Sequence, residues 1–143
     1  MRGWLNGNDM EPVALPRDGV GNPAAGLKEM ARALQEGWTV GIALGPHGPA
    51  RILRPGALWL ARLSGKPLVA IGAAAQPAAR VPRWDRHLIP LPNARIAVVY
   101  GEPIMVERGA AIDEALRSQV AEALGVAEKR AWAIVRSGPP LSA

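Results

Sequence analysis

The sequence predicts an α/β domain in which a partial sheet of mainly parallel strands is flanked by helices. Apolar residues at helical spacing alternate along the chain with short apolar runs bounded by glycine or proline, in the order helix, strand, loop, helix, strand. The 143 residues are the length of a single domain. Cysteine is absent, which excludes disulfides, thiolate metal sites and cysteine nucleophiles.

The first half of the chain supplies two helices and two strands to this prediction. Residues 1–21 are rich in Gly, Asn, Asp and Pro, which is typical of an irregular arm. Asn22 and Pro23 then signal the start of a helix that Gly37 ends. The run Trp38–Leu44 is too short for a helix and predicts a buried strand. "ALWLARLSG" predicts a second helix closed at Gly65, and "PLVAIGAAA" predicts a second buried strand.

The second half begins with an expected long loop. Residues 76–93 carry four prolines and show no helical period. "ARIAVVYGEPIMV" predicts a strand through Tyr100, and apolar residues at i+4 spacing predict a helix over 110–124 with a break at Gly125 and a further helical segment. The predicted domain is therefore 22–137, followed by a disordered tail over 138–143. Three tryptophans within regular elements are expected in the core: Trp38, Trp59 and Trp132.

Basic residues outnumber acidic ones by 17 to 12, and only three of the basic residues are lysines. A GC-rich genome that encodes Arg in place of Lys explains this bias. An anionic partner, either a phospholipid surface or a nucleic acid, explains it as well. No apolar stretch has the length of a signal peptide or a membrane span. We therefore expect a location in the cytoplasm or at the cytoplasmic face of a membrane.

The loop "GIALGPHGPAR", Gly41 to Arg51, lies between a predicted strand and a predicted helix. Open α/β sheets bind ligands at such carboxyl ends of strands. The spacing fits neither a Walker loop nor a dinucleotide fingerprint. A turn without a ligand is the alternative, since glycine and proline also serve simply to reverse the chain.

These motifs, in this order, resemble the bacterial domain-of-unknown-function branch of the lysophospholipid acyltransferase superfamily. The resemblance covers Gly26 to Val106 and rests on the loop, the Pro-Gly helix, the "SGKPLV" strand and "WDRHLIPLP". It departs at Leu44 and His47, which replace the family's acidic residue and arginine, and at Ala70, which replaces a proline. It implies an acyltransferase-like sheet and a site for an anionic acceptor, formed by Gly45, Pro46, His47, Gly48, Arg51 and Arg54.

The catalytic motif of that superfamily, His-x-x-x-x-Asp, is not found around either histidine. Ile52 lies five residues after His47, and Pro92 lies five residues after His87. In the family the motif precedes everything matched here, so the catalytic N-terminal half is expected to be absent. His47 is a weak candidate for a replacement base. Phosphate contact together with Arg51 or Arg54, or a position facing solvent, are the other interpretations.

The segment "RVPRWDRHLIPLP" predicts a surface that contacts a membrane. Trp84 suits the headgroup boundary, and Arg80, Arg83 and Arg86 suit lipid phosphates. A loop braced by prolines, in which Trp84 covers the core, explains the same residues.

The sequence thus predicts a non-catalytic, degenerate acyltransferase-like domain that binds an anion or lipid or acts as an accessory subunit. The alternative is a phospholipid acyltransferase completed by another chain or by a missing N-terminal segment. Nucleic-acid binding lacks a recognisable motif. We expect no metal or cofactor. We also expect a protein partner, or a second copy of the chain, to cover the exposed edge of the strand Trp38–Leu44.

Overall fold

The computed structural model describes residues 23–42, 53, 55–81 and 88–137. Their elements are, in chain order, α1 (Pro23–Gln35), α2 (Gly56–Ser64), β1 (Leu68–Arg80), β2 (Leu88–Ile104) and α3 (Glu114–Ser137). These form a small α+β fold. Contacts divide the chain into two compact units, Met1–Gly41 and Ile42–Ala143, which are described separately. The predicted arm over 1–21 and the predicted tail over 138–143 lie outside the described residues.

In the first unit, the helix predicted from Pro23 is confirmed as α1. Met30 is its buried apolar anchor. The helix ends in a Schellman motif: Gly37 has a φ of 94°, the Trp38 N–H donates to the Ala33 carbonyl at 2.9 Å, and the Gly37 N–H donates to Leu34 at 3.4 Å. On the exposed side, Arg32 donates to Glu36 at 2.8 Å, and this hydrogen bond raises the pKa of the guanidinium.

The strand predicted over Trp38–Leu44 is wrong for its described part, residues 38–42. These residues pair with no strand, and the Trp38 side chain is 53% exposed. Trp38 is therefore not a core residue. Local apolarity predicted a strand, but a strand is stable only where a partner offers it backbone hydrogen bonds. Residues 43–44 lie outside the described residues.

In the second unit, β1 and β2 pair in the antiparallel direction, from Leu68 opposite Ile104 to Arg80 opposite Leu88. The predicted acyltransferase-like sheet of mainly parallel strands is therefore wrong for the described chain. Parallel neighbours need a crossover connection of roughly a dozen residues or more, usually a helix. Only residues 81–87 separate β1 from β2. A connection this short returns the chain beside the strand it has just left.

The long loop predicted over 76–93 is wrong at 76–80 and at 88–93, because β1 and β2 extend into it; residues 82–87 lie outside the described residues. Two of the four prolines that suggest a loop, Pro77 and Pro90, are tolerated in the strands for local reasons. Pro77 lies at a register irregularity between Gln76 and Ala78, after a cis peptide bond. Pro90 lies in β2. In the described two-stranded sheet, each strand has one edge without a neighbouring strand, and no N–H donor is needed along that edge.

One face of this hairpin packs against α3, and the close contact depends on small residues. Gly72 of β1 lies directly under α3, where a Cβ atom would overlap the backbone of Ala127 and Glu128. A small core cluster lies beside this contact, and Val99 and Trp132 pack against it. Its members are Ala74, Ala97, Ala131 and Val135. Small side chains therefore let the helix approach the sheet closely.

Helix α3 is continuous, so the predicted break at Gly125 is wrong. The helix begins after Asp113, whose Oδ1 accepts the Leu116 N–H at 3.0 Å as an N-cap. A Cβ atom at Gly125 would meet no neighbour within 4 Å. Glycine lowers helix propensity, but packing of α3 on the sheet overrides that local preference.

Helix α2 confirms the predicted second helix and ends, as predicted, at Gly65, whose φ is 67°. Leu58 is fully buried. Trp59 is 41% exposed and lies under the Arg62 guanidinium at 3.8 Å, so its predicted core position is wrong. Arg62 also donates to the Ala110 carbonyl at 3.1 Å, which joins α2 to the segment before α3.

Candidate functional site

The site expected at the Gly-rich loop lies outside the described residues. This applies to Gly45, Pro46, His47, Gly48, Arg51 and Arg54. It applies also to Arg83, Trp84 and Arg86 among the expected membrane-facing residues. Of the predicted site residues, Arg80 alone lies within the described ranges, as the last residue of β1.

Arg80 lies beside Trp132 of α3, and Arg136 lies beside the same ring; we call Arg80, Trp132 and Arg136 the Arg–Trp cluster. The guanidinium carbon of Arg80 lies 5.6 Å from the centre of the Trp132 ring, and that of Arg136 lies 5.3 Å from it. Both distances are within the range of cation–π attraction. Arg136 follows Trp132 by one helical turn, and the antiparallel hairpin brings Arg80 to the same ring.

The tryptophan ring anchors the cluster to the fold. Trp132 is half-buried and packs against the core cluster that includes Ala131 and Val135. Its predicted core position is therefore confirmed in part. Arg80 and Arg136 are exposed. The ring thus holds two exposed guanidinium groups against a fixed support, which reduces the conformational entropy they lose on binding an anion.

Neither arginine of the cluster is neutralised by the described part of the chain. An ion pair of the described residues joins Arg32 to Glu36, in the other unit, and does not involve the cluster. Arg136 also lies in the last turn of α3, where the helix dipole favours a positive charge. Two guanidinium groups without a carboxylate partner in the described ranges leave donors there for an oxyanion.

Charge is distributed unevenly along the second unit. Ala127 lies over Gly72, and Trp132, further along α3, lies beside Arg80. Helix α3 therefore runs toward the end of the hairpin at which β1 ends and β2 begins. We call this the basic end, made of the described residues 77–81, 88–91 and 129–137; these carry four basic residues and no acidic one. At the opposite end, Lys66 and residues 100–117 carry three basic and four acidic residues. Positive charge is therefore concentrated at one end of the described part of this unit.

Apolar side chains are exposed at the basic end as well. Ile89, opposite Ala79 in the sheet, is 47% exposed, and Leu91 is similarly exposed on the same strand. Ile134, between Trp132 and Arg136 in α3, is 51% exposed. Basic and apolar groups at one end of a molecule are the combination that binds an anionic lipid interface.

The described residues of the Arg–Trp cluster offer cationic binding groups. In the described ranges, no cluster of three His, Asp or Glu side chains could hold a metal ion. Both histidines of the chain lie outside those ranges. What the cluster can do chemically is to hold an oxyanion, such as a phosphate, by guanidinium hydrogen bonds and charge.

Sequence reasoning identified Arg80 as a candidate but missed Arg136 and the role of Trp132. The sequence does contain a signal that joins Trp132 to Arg136, because an aromatic residue and an arginine four residues apart share a helix face. No sequence signal joined Arg80 to that pair. The position of Arg80 depends on the antiparallel hairpin, and the prolines of this segment predict a loop there instead of two strands.

Comparison of the chain with protein-family models, with curated proteins and with solved structures gave no significant match. Among the described helices, none combines the length and apolarity needed to cross a membrane.

Proposed function

We propose that this protein is a non-catalytic accessory protein that attaches to anionic lipid surfaces through its basic end. The observation that carries the proposal is the Arg–Trp cluster, in which Trp132 holds Arg80 and Arg136 with no carboxylate partner among the described residues. The proposal rests on the described hairpin and α3 and does not require a parallel sheet.

Lipid phosphates match the chemistry of the cluster. Guanidinium groups bind phosphate oxygens with paired hydrogen bonds, and each basic residue near an anionic membrane contributes about 1 kcal/mol to attachment. The exposed Ile89 and Ile134 add apolar contact at the interface. The sequence places Arg83, Trp84 and Arg86 in the connection between the two strands, which increases the basic charge there.

The absence of a catalytic role is proposed on sequence grounds. The acyl-transfer chemistry implied by the resemblance uses a histidine oriented by an aspartate five residues later. Ile52 and Pro92 occupy those positions after the two histidines. Binding of lipid phosphate, in contrast, needs only the cationic groups at the basic end.

Co-sedimentation with vesicles tests this function. We expect the protein to bind vesicles that contain phosphatidylserine, to bind pure phosphatidylcholine vesicles weakly, and to dissociate as salt is raised. The double variant Arg80→Gln/Arg136→Gln should bind phosphatidylserine vesicles about 30-fold more weakly, since two charges near the surface are lost.

The matched control is Lys66→Gln/Arg108→Gln, which removes the same charge from exposed positions at the opposite end of the hairpin. This variant should keep most of the binding. Equal losses in the two variants would show that net charge alone attracts the protein. Binding to a DNA duplex with no binding to phosphatidylserine vesicles at the same salt would contradict the proposal.

A further inference from the structure

The Arg–Trp cluster holds its two positive charges close together, although they come from two different elements. Arg80 is the last residue of β1, where it lies opposite Leu88, and Arg136 lies in the last turn of α3. Both guanidinium carbons lie within about 6 Å of the centre of the Trp132 ring, so they are at most about 11 Å apart. The cluster therefore presents two cations to one small region of the surface.

The Arg136 side chain is directed away from the negative end of α3. Its guanidinium lies over Trp132, one turn earlier in the helix, because long side chains in helices point toward the N-terminus. Ser137 closes the last turn by donating its hydroxyl to the Ala133 carbonyl at 2.8 Å. An anion that binds the guanidinium beside Trp132 is therefore set back from the free carbonyl groups at the end of the helix.

We propose that the Arg–Trp cluster binds the phosphomonoester headgroup of a lipid, with one phosphate held between Arg80 and Arg136. This inference rests on the proposed function and names the headgroup that the basic end selects. Each guanidinium can donate two parallel hydrogen bonds to phosphate oxygens. A phosphate held in this way on both sides spans about 8 Å from one guanidinium carbon to the other. Both side chains are exposed, so rotation of their ends can bring them to this distance.

Two charges held on one ring favour a single dianion over two separate monoanions. A phosphomonoester carries a charge of about −1.5 to −2 at neutral pH, and its three terminal oxygens can serve both guanidinium groups. A phosphodiester carries one negative charge and balances only one of them. Arginines that are scattered over a surface respond to the surface charge alone. The fixed pair therefore predicts a preference for one headgroup that surface charge does not explain.

A lipid headgroup fits the cluster better than a free phosphate, because apolar side chains are exposed beside the two arginines. Ile134 lies between Trp132 and Arg136 in α3 and is 51% exposed. Ile89 follows Leu88, the residue opposite Arg80, and is 47% exposed. A free phosphate leaves these side chains in water, whereas a lipid brings its acyl region to them.

Binding to vesicles of equal surface charge tests the preference. One set contains phosphatidic acid and the other contains phosphatidylserine, each diluted with phosphatidylcholine until the zeta potentials agree. We expect the wild-type protein to bind the phosphatidic acid vesicles about tenfold more tightly, which corresponds to about 1.4 kcal/mol. Arg80→Gln and Arg136→Gln should each bring this ratio close to one, because one guanidinium cannot hold the phosphate from both sides. Lys66→Gln removes one exposed charge at the opposite end and should keep the ratio.

Variants of Trp132 separate the support of the ring from the charge. Trp132→Leu leaves both arginines in place but removes the aromatic ring, and it should lower the ratio. Trp132→Phe retains a ring for the two cations and should keep most of the preference. Circular dichroism should be unchanged in both variants. A ratio that Trp132→Leu lowers and Trp132→Phe restores supports a positioning role for the ring.

The outcomes distinguish this inference from the proposed function. Equal binding to the two sets of vesicles, or a ratio that survives Arg80→Gln, would overturn the inference and leave attachment to anionic lipid intact. Absence of binding to either set would contradict the proposed function as well. Sodium phosphate and sodium chloride should release the protein at the same ionic strength. Release by phosphate at a lower ionic strength would overturn the lipid assignment, since the cluster would then bind a soluble phosphate.

Discussion

Gly72 is the single residue on which the packing of α3 against the hairpin depends most directly. A side chain there would collide with the backbone of Ala127 and Glu128, which cannot move aside as the end of a flexible side chain can. The helix would have to shift outward along its contact with β1. The contacts of Trp132 with the core cluster, and hence the support of the Arg–Trp cluster, would loosen with it.

We therefore predict that Gly72→Ala lowers the free energy of unfolding by about 3 kcal/mol, the upper part of the range for overpacked cores. Gly101→Ala is the control, because its Cβ atom would meet Ala70 at an ordinary 3.4 Å. That variant should change stability by less than about 1 kcal/mol. Urea denaturation followed by circular dichroism measures both values. Equal stabilities would show that α3 does not lie as close to Gly72 as described.

At the scale of elements, α3 gives a second prediction. Gly125 lies inside a continuous helix of 24 residues and has open space where its Cβ atom would be. Alanine at this position should raise the free energy of unfolding by about 0.5–1 kcal/mol, because glycine is a poor helix former. The same urea experiment tests it. Destabilisation by Gly125→Ala would instead favour the helix break that the sequence suggests.

The helices were predictable from the sequence because their signals are local. Gly37 and Gly65 both adopt positive φ values at helix ends, as their positions after apolar helical stretches predict. The hairpin was not predictable in this way. Pro77 and Pro90 resemble loop residues, yet a strand with a free edge tolerates them. Whether strands run parallel or antiparallel depends on long-range pairing, which short apolar runs do not encode.

The candidate site was predictable only in part for the same reason. The composition of the segment "RVPRWDRHLIPLP" alone is enough to predict Arg80 as a residue that contacts a membrane. The partner ring of Arg80, Trp132, lies 52 residues further along the chain, and its place within a helical stretch predicts a core position. The expected site at His47 stays a prediction, since that loop lies outside the described residues.

For the whole molecule, the proposed function assigns one end of the second unit to a lipid surface. The basic end, with Arg80 and Arg136, would contact lipid phosphates, and the opposite end, with Lys66 and Arg108, would face away from them.

The central claim is that the basic end contacts the lipid surface, and a polarity-sensitive fluorophore on a single cysteine tests it most directly. Ile89→Cys places the label next to Arg80 at the basic end, and Met105→Cys places it just after β2 at the opposite end. Both wild-type side chains are well exposed. On phosphatidylserine vesicles we predict a blue shift of the label at position 89 and none at position 105. A shift at position 105 alone, or at neither position, would contradict the account.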